Sequence, residues 1–79
     1  MEFDSSRPKW VQIADRIRVR IETGEYAAGY QITLSLIEAE FGVARATAQK
    51  VTAALAREGL VRTELGMGSF VLGRTAEKQ

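Results

Sequence analysis

The residues with the clearest chemical potential follow a short apolar stretch, FGV, in the middle of the chain. Arg45, Thr47, Gln49 and Lys50 are spaced one or two residues apart, with alanines such as Ala46 between them. An arginine can bind the two acceptors of a guanine, and a glutamine can bind an adenine through two hydrogen bonds. Threonine and lysine can bind phosphates, while alanines let a helix backbone approach the base edges. The pattern therefore favours contact with double-stranded DNA.

These residues need a helix to present them, and the spacing predicts one from Arg45 to Glu58. Ala48, Val51 and Leu55 recur at i, i+3 and i+7, which places them on one inward stripe. The polar residues then lie on the outer faces together with Ala53. Many ordinary surface helices also carry Arg, Gln and Lys between alanines, so this helix alone leaves a plain amphipathic role open.

A second, shorter helix is predicted just before this one. Thr33 or Ser35 can cap it, and the Ser35 choice places Glu38 at the spacing of a capping box. The helix reaches Phe41, and Gly42 ends it. Two helices joined by a short turn with a glycine form a helix-turn-helix, whose second helix can lie in the major groove of DNA.

The first helix is predicted from Lys9 to Thr23, with Pro8 suited to its start and Gly24 to its end. Its inward stripe has five members: Trp10, Ile13, Ala14, Ile17 and Ile21. Trp10 has two readings, a core residue or an exposed anchor for a partner. The segment from residue 26 to 32 is expected to be a loop that ends in a short extended piece.

After Leu60 the apolar period changes to that of strands, in LVRTE and SFVLG, which the glycine-containing turn LGMG separates. The expected fold is mainly α (α+β), a winged helix-turn-helix of three helices followed by a two-stranded β-hairpin wing over residues 62–71. The wing is expected to touch a neighbouring phosphate or the minor groove. The tip residues concerned are Gly66, Met67, Gly68 and Ser69. Simple turn geometry also accounts for the two glycines.

Composition limits the remaining functions. A chain of 79 residues forms one domain, expected over residues 8–72 between a flexible arm, 1–7, and a flexible tail, 73–79. Without cysteine or histidine, and without a nucleophile–base pair or a phosphate loop, neither an enzyme, a metal site nor a cofactor is expected. No membrane span or secretory signal is seen, so the predicted location is cytoplasmic.

The charge is unevenly distributed although the net charge is only +1. Residues 22–40 contain four acids and no base, whereas residues 44–63 contain four bases and one acid. A cationic second half suggests an anionic partner, and the alternative is a solvated charged face.

Taken in order along the chain, these motifs resemble the DNA-binding domain of the GntR family of bacterial transcription regulators. The resemblance covers about Pro8 to Val71. The matching residues are Pro8, Trp10, Gln12, Ile13, Ala14, Gly24, Tyr26, Gly29, Phe41 to Val43, Arg45, Thr47, Glu58 to Val61, Gly66, Gly68, Ser69, Phe70 and Val71.

Three departures from the family pattern concern the DNA-binding residues. Where members of the family have Leu-Pro-Ser-Glu before the second helix, this chain has ITLSL. The chain is one residue shorter in this region than the family pattern. Ala44 replaces a serine that the resemblance would assign to capping and phosphate contact, a loss of about 1 kcal/mol of helix stability. Gln49 stands where members commonly have arginine. The sequence preference is therefore not expected to match that of typical members.

The resemblance implies a regulator, usually a repressor, that binds inverted repeats as a symmetric dimer. Dimerisation is expected through the domain's own surface or only on the DNA. In most members a further domain holds the metabolite pocket, and no such pocket is expected in residues 73–79, whether the chain is an excised domain or a small protein. Two alternatives stay open: an architectural or recombination-accessory DNA-binding factor, and a winged-helix protein-interaction module.

Overall fold

In the computed structural model, which describes residues 2–73, three helices are followed by a hairpin. The elements are α1 (Lys9–Thr23), β1 (Gln31–Ile32), α2 (Leu34–Phe41), α3 (Arg45–Arg57), β2 (Val61–Glu64) and β3 (Gly68–Val71). The predicted winged helix-turn-helix is confirmed. Among the described residues, no helix is long and apolar enough to cross a membrane.

The core lies where the inward stripes of α1 and α3 meet. Ala48, Val51 and Leu55 of α3 are completely buried, as predicted. Ile13 and Ile17 of α1 pack into the same cluster. Trp10 is half-buried and packs against this cluster, in agreement with the core reading. Because the apolar side of α3 packs into the core, its polar side faces outward.

The two helices of the helix-turn-helix have different starts. At α2 the side chain of Thr33 is the cap, and its Oγ1 accepts a hydrogen bond from the backbone N–H of Leu36 at 3.0 Å. The capping box at Ser35 is wrong, because Ser35 already lies inside the helix. Ala44 precedes α3 in an extended conformation and makes no side-chain cap, as expected for alanine. Gly42 has φ 67 and forms the turn between the helices.

The wing belongs to a sheet of three strands, ordered β1-β3-β2. The short extended piece expected at the end of the first loop is β1, and it pairs with β3 in antiparallel register, with Gln31 opposite Phe70. The sequence predicted only the hairpin of β2 and β3. The additional strand fixes the base of the wing to the segment that leads into α2.

Glycine is required at position 68, where β3 comes very close to the backbone at the end of β1. Gly68 has φ 108, and a Cβ atom built there would lie 2.9 Å from the carbonyl oxygen of Ile32. A side chain would therefore strain the backbone and push β1 away from β3. The glycine contributes close packing as well as turn geometry.

The segment before α1 is bonded to that helix through Gln12, which is buried. Its side-chain amide donates to the backbone carbonyls of Asp4 at 2.7 Å and Arg7 at 3.0 Å, and its Oε1 accepts from the Asp4 N–H at 2.9 Å. The flexibility of residues 1–7 and 73–79 stays a prediction. Residues 74–79 lie outside the described part of the chain.

Candidate nucleic-acid interface

The outer face of α3 presents the polar residues that the sequence singled out. Arg45, Ala46, Gln49 and Lys50 are exposed, and Thr47 is half-buried. Ala44, directly before the helix, is also exposed. The first turns of α3 therefore offer a guanidinium, an amide and an ammonium group beside small side chains, an arrangement suited to base edges and phosphates.

Arg45 is held by an acid that sequence reasoning assigned to another role. Its Nε lies 3.4 Å from Oε2 of Glu38 in α2. The Arg45 side chain remains 56% exposed, so the guanidinium still reaches solvent while the carboxylate restrains it. The available signal was the helix-turn-helix itself, which folds the end of α2 back against the start of α3.

A groove of about 470 Å³ separates α3 from the wing. We call it the reading groove; it is lined by residues 32–35, Arg45, Gln49, Thr52 and residues 63–69. The groove thus brings together the start of α2, the outer face of α3 and the tip of the hairpin. Six of the predicted site residues line it: Arg45, Gln49, Gly66, Met67, Gly68 and Ser69.

The remaining predicted residues, Ala44, Ala46, Thr47 and Lys50, are on α3 or its N-cap but do not line the groove. Ser69 differs from the rest of the tip because only 2% of it is exposed. Its hydroxyl lies 3.2 Å from that of Thr63 on the paired strand. Ser69 is also paired with strands on both sides, opposite Ile32 and Thr63. It therefore stabilises the hairpin and is not exposed at the surface.

The wing tip is apolar and strongly exposed. Leu65 is completely exposed and Met67 is 56% exposed, on either side of Gly66 with φ 80. The side-chain amide of Gln31 in β1 donates to the Met67 carbonyl, so the tip is supported from the third strand. Sequence reasoning included Met67 in the tip but missed Leu65. The apolar letters on both sides of the turn glycine were the signal.

The two charged side chains of the wing neutralise each other. The guanidinium of Arg62 forms an ion pair with Glu64 and lies 5.6 Å from the centre of the Phe70 ring. On the exposed side of α3, by contrast, Lys50 lies next to Gln49, and no carboxylate within residues 2–73 forms an ion pair with it. The wing and α3 therefore offer different chemistry to a ligand.

Several known proteins are similar to this chain in sequence or in structure. The family described as bacterial regulatory proteins, gntR family, matches residues 9–71. An uncharacterized HTH-type transcriptional regulator of Rhizobium meliloti (strain 1021) is 49% identical over 63 residues, covering 78% of this chain and 26% of that protein. The mannosyl-D-glycerate transport/metabolism system repressor MngR of Escherichia coli (strain K12) is 36% identical over 66 residues, which cover 82% of this chain and 28% of MngR. The chain thus spans about a quarter of the length of these relatives.

Among solved structures, the AraR DNA-binding domain in complex with operator ORE1 is similar to this chain, with a TM-score of 0.77 and 32% identity. The match covers 82% of this chain and 80% of that one. A family and fold of transcription regulators confirm the expectation that the chain is not an enzyme. Since the family match includes every helix and strand of the fold, the chain belongs to the GntR family of bacterial regulatory proteins.

Proposed function

We propose that this chain is a sequence-specific double-stranded DNA-binding regulator of transcription, and that its role is repression. The observation that carries the proposal is the reading groove, in which the exposed polar face of α3 and the wing tip flank one concave surface. The operator-bound AraR domain and the repressor MngR support it. As a regulator of bacterial promoters it would act in the cytoplasm, on nucleoid DNA.

In the proposed complex α3 lies in the major groove. Arg45 binds the two acceptors of a guanine and Gln49 binds an adenine, because both side chains line the reading groove and reach solvent. Thr47 and Lys50 contact phosphates, which fix the register of the helix on the duplex. Ala46 faces the base edges, and its small size permits close approach.

Two further contacts are proposed, one from Ala44 directly before α3 and one from the tip of the wing. Ala44 lies beside a phosphate and offers only its backbone, since an alanine side chain forms no hydrogen bond. The wing places Gly66, Met67 and Gly68 against the flanking minor groove or its phosphates, and the buried Ser69 supports them from within the hairpin. One module makes few contacts, so two copies binding an inverted repeat would supply the affinity of a regulator.

Selection of the purified chain on random duplex DNA tests the proposal, followed by salt titration of the enriched and scrambled duplexes. We expect enrichment of a two-fold repeat that stays bound at salt concentrations that release the scrambled duplex. If nothing is enriched and both duplexes titrate alike, sequence-specific regulation is wrong. If no duplex binds even at low salt, a protein-interaction role replaces DNA binding.

The base-reading role of Arg45 is tested by Arg45→Ala on the selected site. We expect a loss of about 1–3 kcal/mol in binding and a relaxed preference at one base pair. Arg57→Ala is the matched control, because it removes the same charge from the last turn of α3, in a cleft beside Trp10 rather than in the reading groove. Equal binding by the parent and Arg45→Ala would refute the assignment.

A further inference from the structure

We propose that the wing tip enters the minor groove as an apolar wedge, with Leu65 and Met67 pressed against a base step that they partly unstack. This inference rests on the proposed function, because it assumes that α3 lies in the adjacent major groove. It goes beyond it by assigning a bend in the DNA, and a preference for deformable steps, to two residues without polar groups.

The first observation is the exposure of the tip. Leu65 is 101% and Met67 56% exposed, the two most exposed large apolar side chains in the described part of the chain. Covering such side chains is favourable. Both residues line the reading groove together with Arg45 and Gln49, so a duplex that occupies this groove would cover them.

The second observation is the charge of the wing. Arg62 and Glu64 are the charged residues between positions 61 and 71, and they form an ion pair with each other. The tip between β2 and β3 therefore has no free cation with which to hold a phosphate. Its contact with DNA must come from apolar surface and backbone groups, and apolar side chains inserted between base steps are an established means of kinking DNA.

The third observation is that the tip is supported. Unstacking a base step costs free energy, so a wedge must resist being pushed back. The β1–β3 pairing fixes the base of the wing, and the Gln31 amide donates to the Met67 carbonyl at the tip. The close approach of Gly68 to Ile32 removes the space into which the hairpin would yield.

This geometry has a consequence for the operator. A wedge favours steps that unstack easily, and pyrimidine–purine steps such as TA are the most flexible. We therefore expect selected sites to carry such a step on the wing side of the bases that α3 contacts. The preference would arise without any hydrogen bond to that step.

The experiment uses duplexes that contain the selected site flanked by TA or AA steps. 2-Aminopurine next to the step reports unstacking, and a fluorophore pair at the duplex ends reports bending. With the parent chain and TA flanks we expect increased 2-aminopurine fluorescence and a shorter end-to-end distance. Both changes should be smaller with AA flanks. Failure to see either change while Arg45-dependent binding persists would overturn the wedge and leave the proposed function intact.

The variants isolate the two side chains. Leu65→Ser combined with Met67→Ser should remove both signals and weaken binding to the TA-flanked site by about tenfold or more, since the loss of even one buried apolar side chain has about that effect. The dependence on salt should stay the same, because no charge is lost. Leu65→Met alone should retain the bend. Val19→Ser is the control, since it removes an exposed apolar side chain of α1 that does not line the groove.

Two further outcomes would refute the wedge. If the parent dimerises in solution and the double variant is monomeric with an unchanged bend, the tip is a protein contact. If selection enriches no site, the fluorescence measurement is made on random duplexes rich in TA steps, and an unchanged signal there rejects the wedge as well.

Discussion

Arg18 and Arg20 of α1 and Arg45 and Lys50 of α3 are all cations, but their surroundings differ. Arg18 of α1 donates to Glu58 through two nitrogens, at 2.8 and 2.6 Å, and to Asp15 at 2.6 Å. On α3, Arg45 has one loose partner at 3.4 Å, and Lys50 has none within residues 2–73. The net charge conceals this division, because paired and available cations count equally in it.

The difference separates positively charged groups that hold the fold together from those that are free to bind. Arg20, which is only 15% exposed, connects α1 to Glu40 of α2 and donates to the Tyr26 hydroxyl at 2.7 Å. An arginine fixed by several acceptors loses partners when it turns toward a phosphate, whereas Lys50 loses none. We therefore expect variants of Arg18 and Arg20 to change stability, and variants of Arg45 and Lys50 to change DNA binding.

The largest effect is expected outside both helices, at the glycines of the wing. Gly68→Ala should lower the free energy of unfolding by about 2 kcal/mol or more, because it combines a positive φ with a contact of 2.9 Å to the Ile32 carbonyl. Gly66 also has a positive φ, but a Cβ atom there would meet no other atom. Gly66→Ala should therefore lower the free energy of unfolding by only about 1 kcal/mol. Urea unfolding followed by the fluorescence of Trp10, the single tryptophan, measures both. Equal losses would show that the contact with the Ile32 carbonyl adds no cost beyond the backbone strain.

The comparison between helices is tested directly by a crossed pair of variants. Arg18→Ala should lower the free energy of unfolding by about 1 kcal/mol, since the pairs are partly exposed, and leave the salt dependence of DNA binding unchanged. Lys50→Ala should leave stability unchanged and make the slope of log K against log salt shallower by about one. An unchanged slope for Lys50→Ala would exclude it as a phosphate contact.

The helices could be predicted from the sequence because their apolar stripes are local. The stripe of Ala48, Val51 and Leu55 fixes which face of α3 is inward, and therefore which residues face outward. The short extended piece at β1 could be predicted, but its pairing with β3 could not, since two residues carry no period and their partner strand lies far along the chain. The Glu38–Arg45 pair was missed for a related reason: it depends on how two helices pack, which no spacing within one helix reveals.

A smaller effect is expected from removing the acid beside Arg45. Glu38→Gln should strengthen binding to scrambled DNA roughly twofold to fivefold, the range for a partly exposed charge. The gain on the selected site should be smaller, because there the contacted base already positions Arg45. The ratio of affinities for the selected site and scrambled DNA should therefore fall. Glu58→Gln, which removes an acid outside the reading groove, is the control in the same filter-binding titration. Equal gains from both variants would indicate a general charge effect and no positioning role for Glu38.

The smallest effect concerns acid, and it also distinguishes the two regions. The guanidiniums of Arg7 and Arg18 lower the pKa of Asp15, and that of Arg18 lowers the pKa of Glu58. A carboxyl whose pKa is lowered by folding stabilises the protein above its ordinary pKa and loses that contribution as the pH falls. Since the chain contains no histidine, we expect a nearly constant free energy of unfolding from about pH 8 to pH 5 and a decline below about pH 4.5.

These pairs are partly exposed, so each should contribute only about half a kcal/mol or less to that decline. Arg18→Ala should make the decline shallower, because Asp15 and Glu58 then regain pKa values closer to their ordinary range. Lys50→Ala should leave the decline as steep as in the parent, since Lys50 has no carboxylate partner within residues 2–73. Urea unfolding at a series of pH values measures all three proteins. If Lys50→Ala made the decline as shallow as Arg18→Ala does, the distinction between cations paired within the fold and cations available to bind DNA would be wrong.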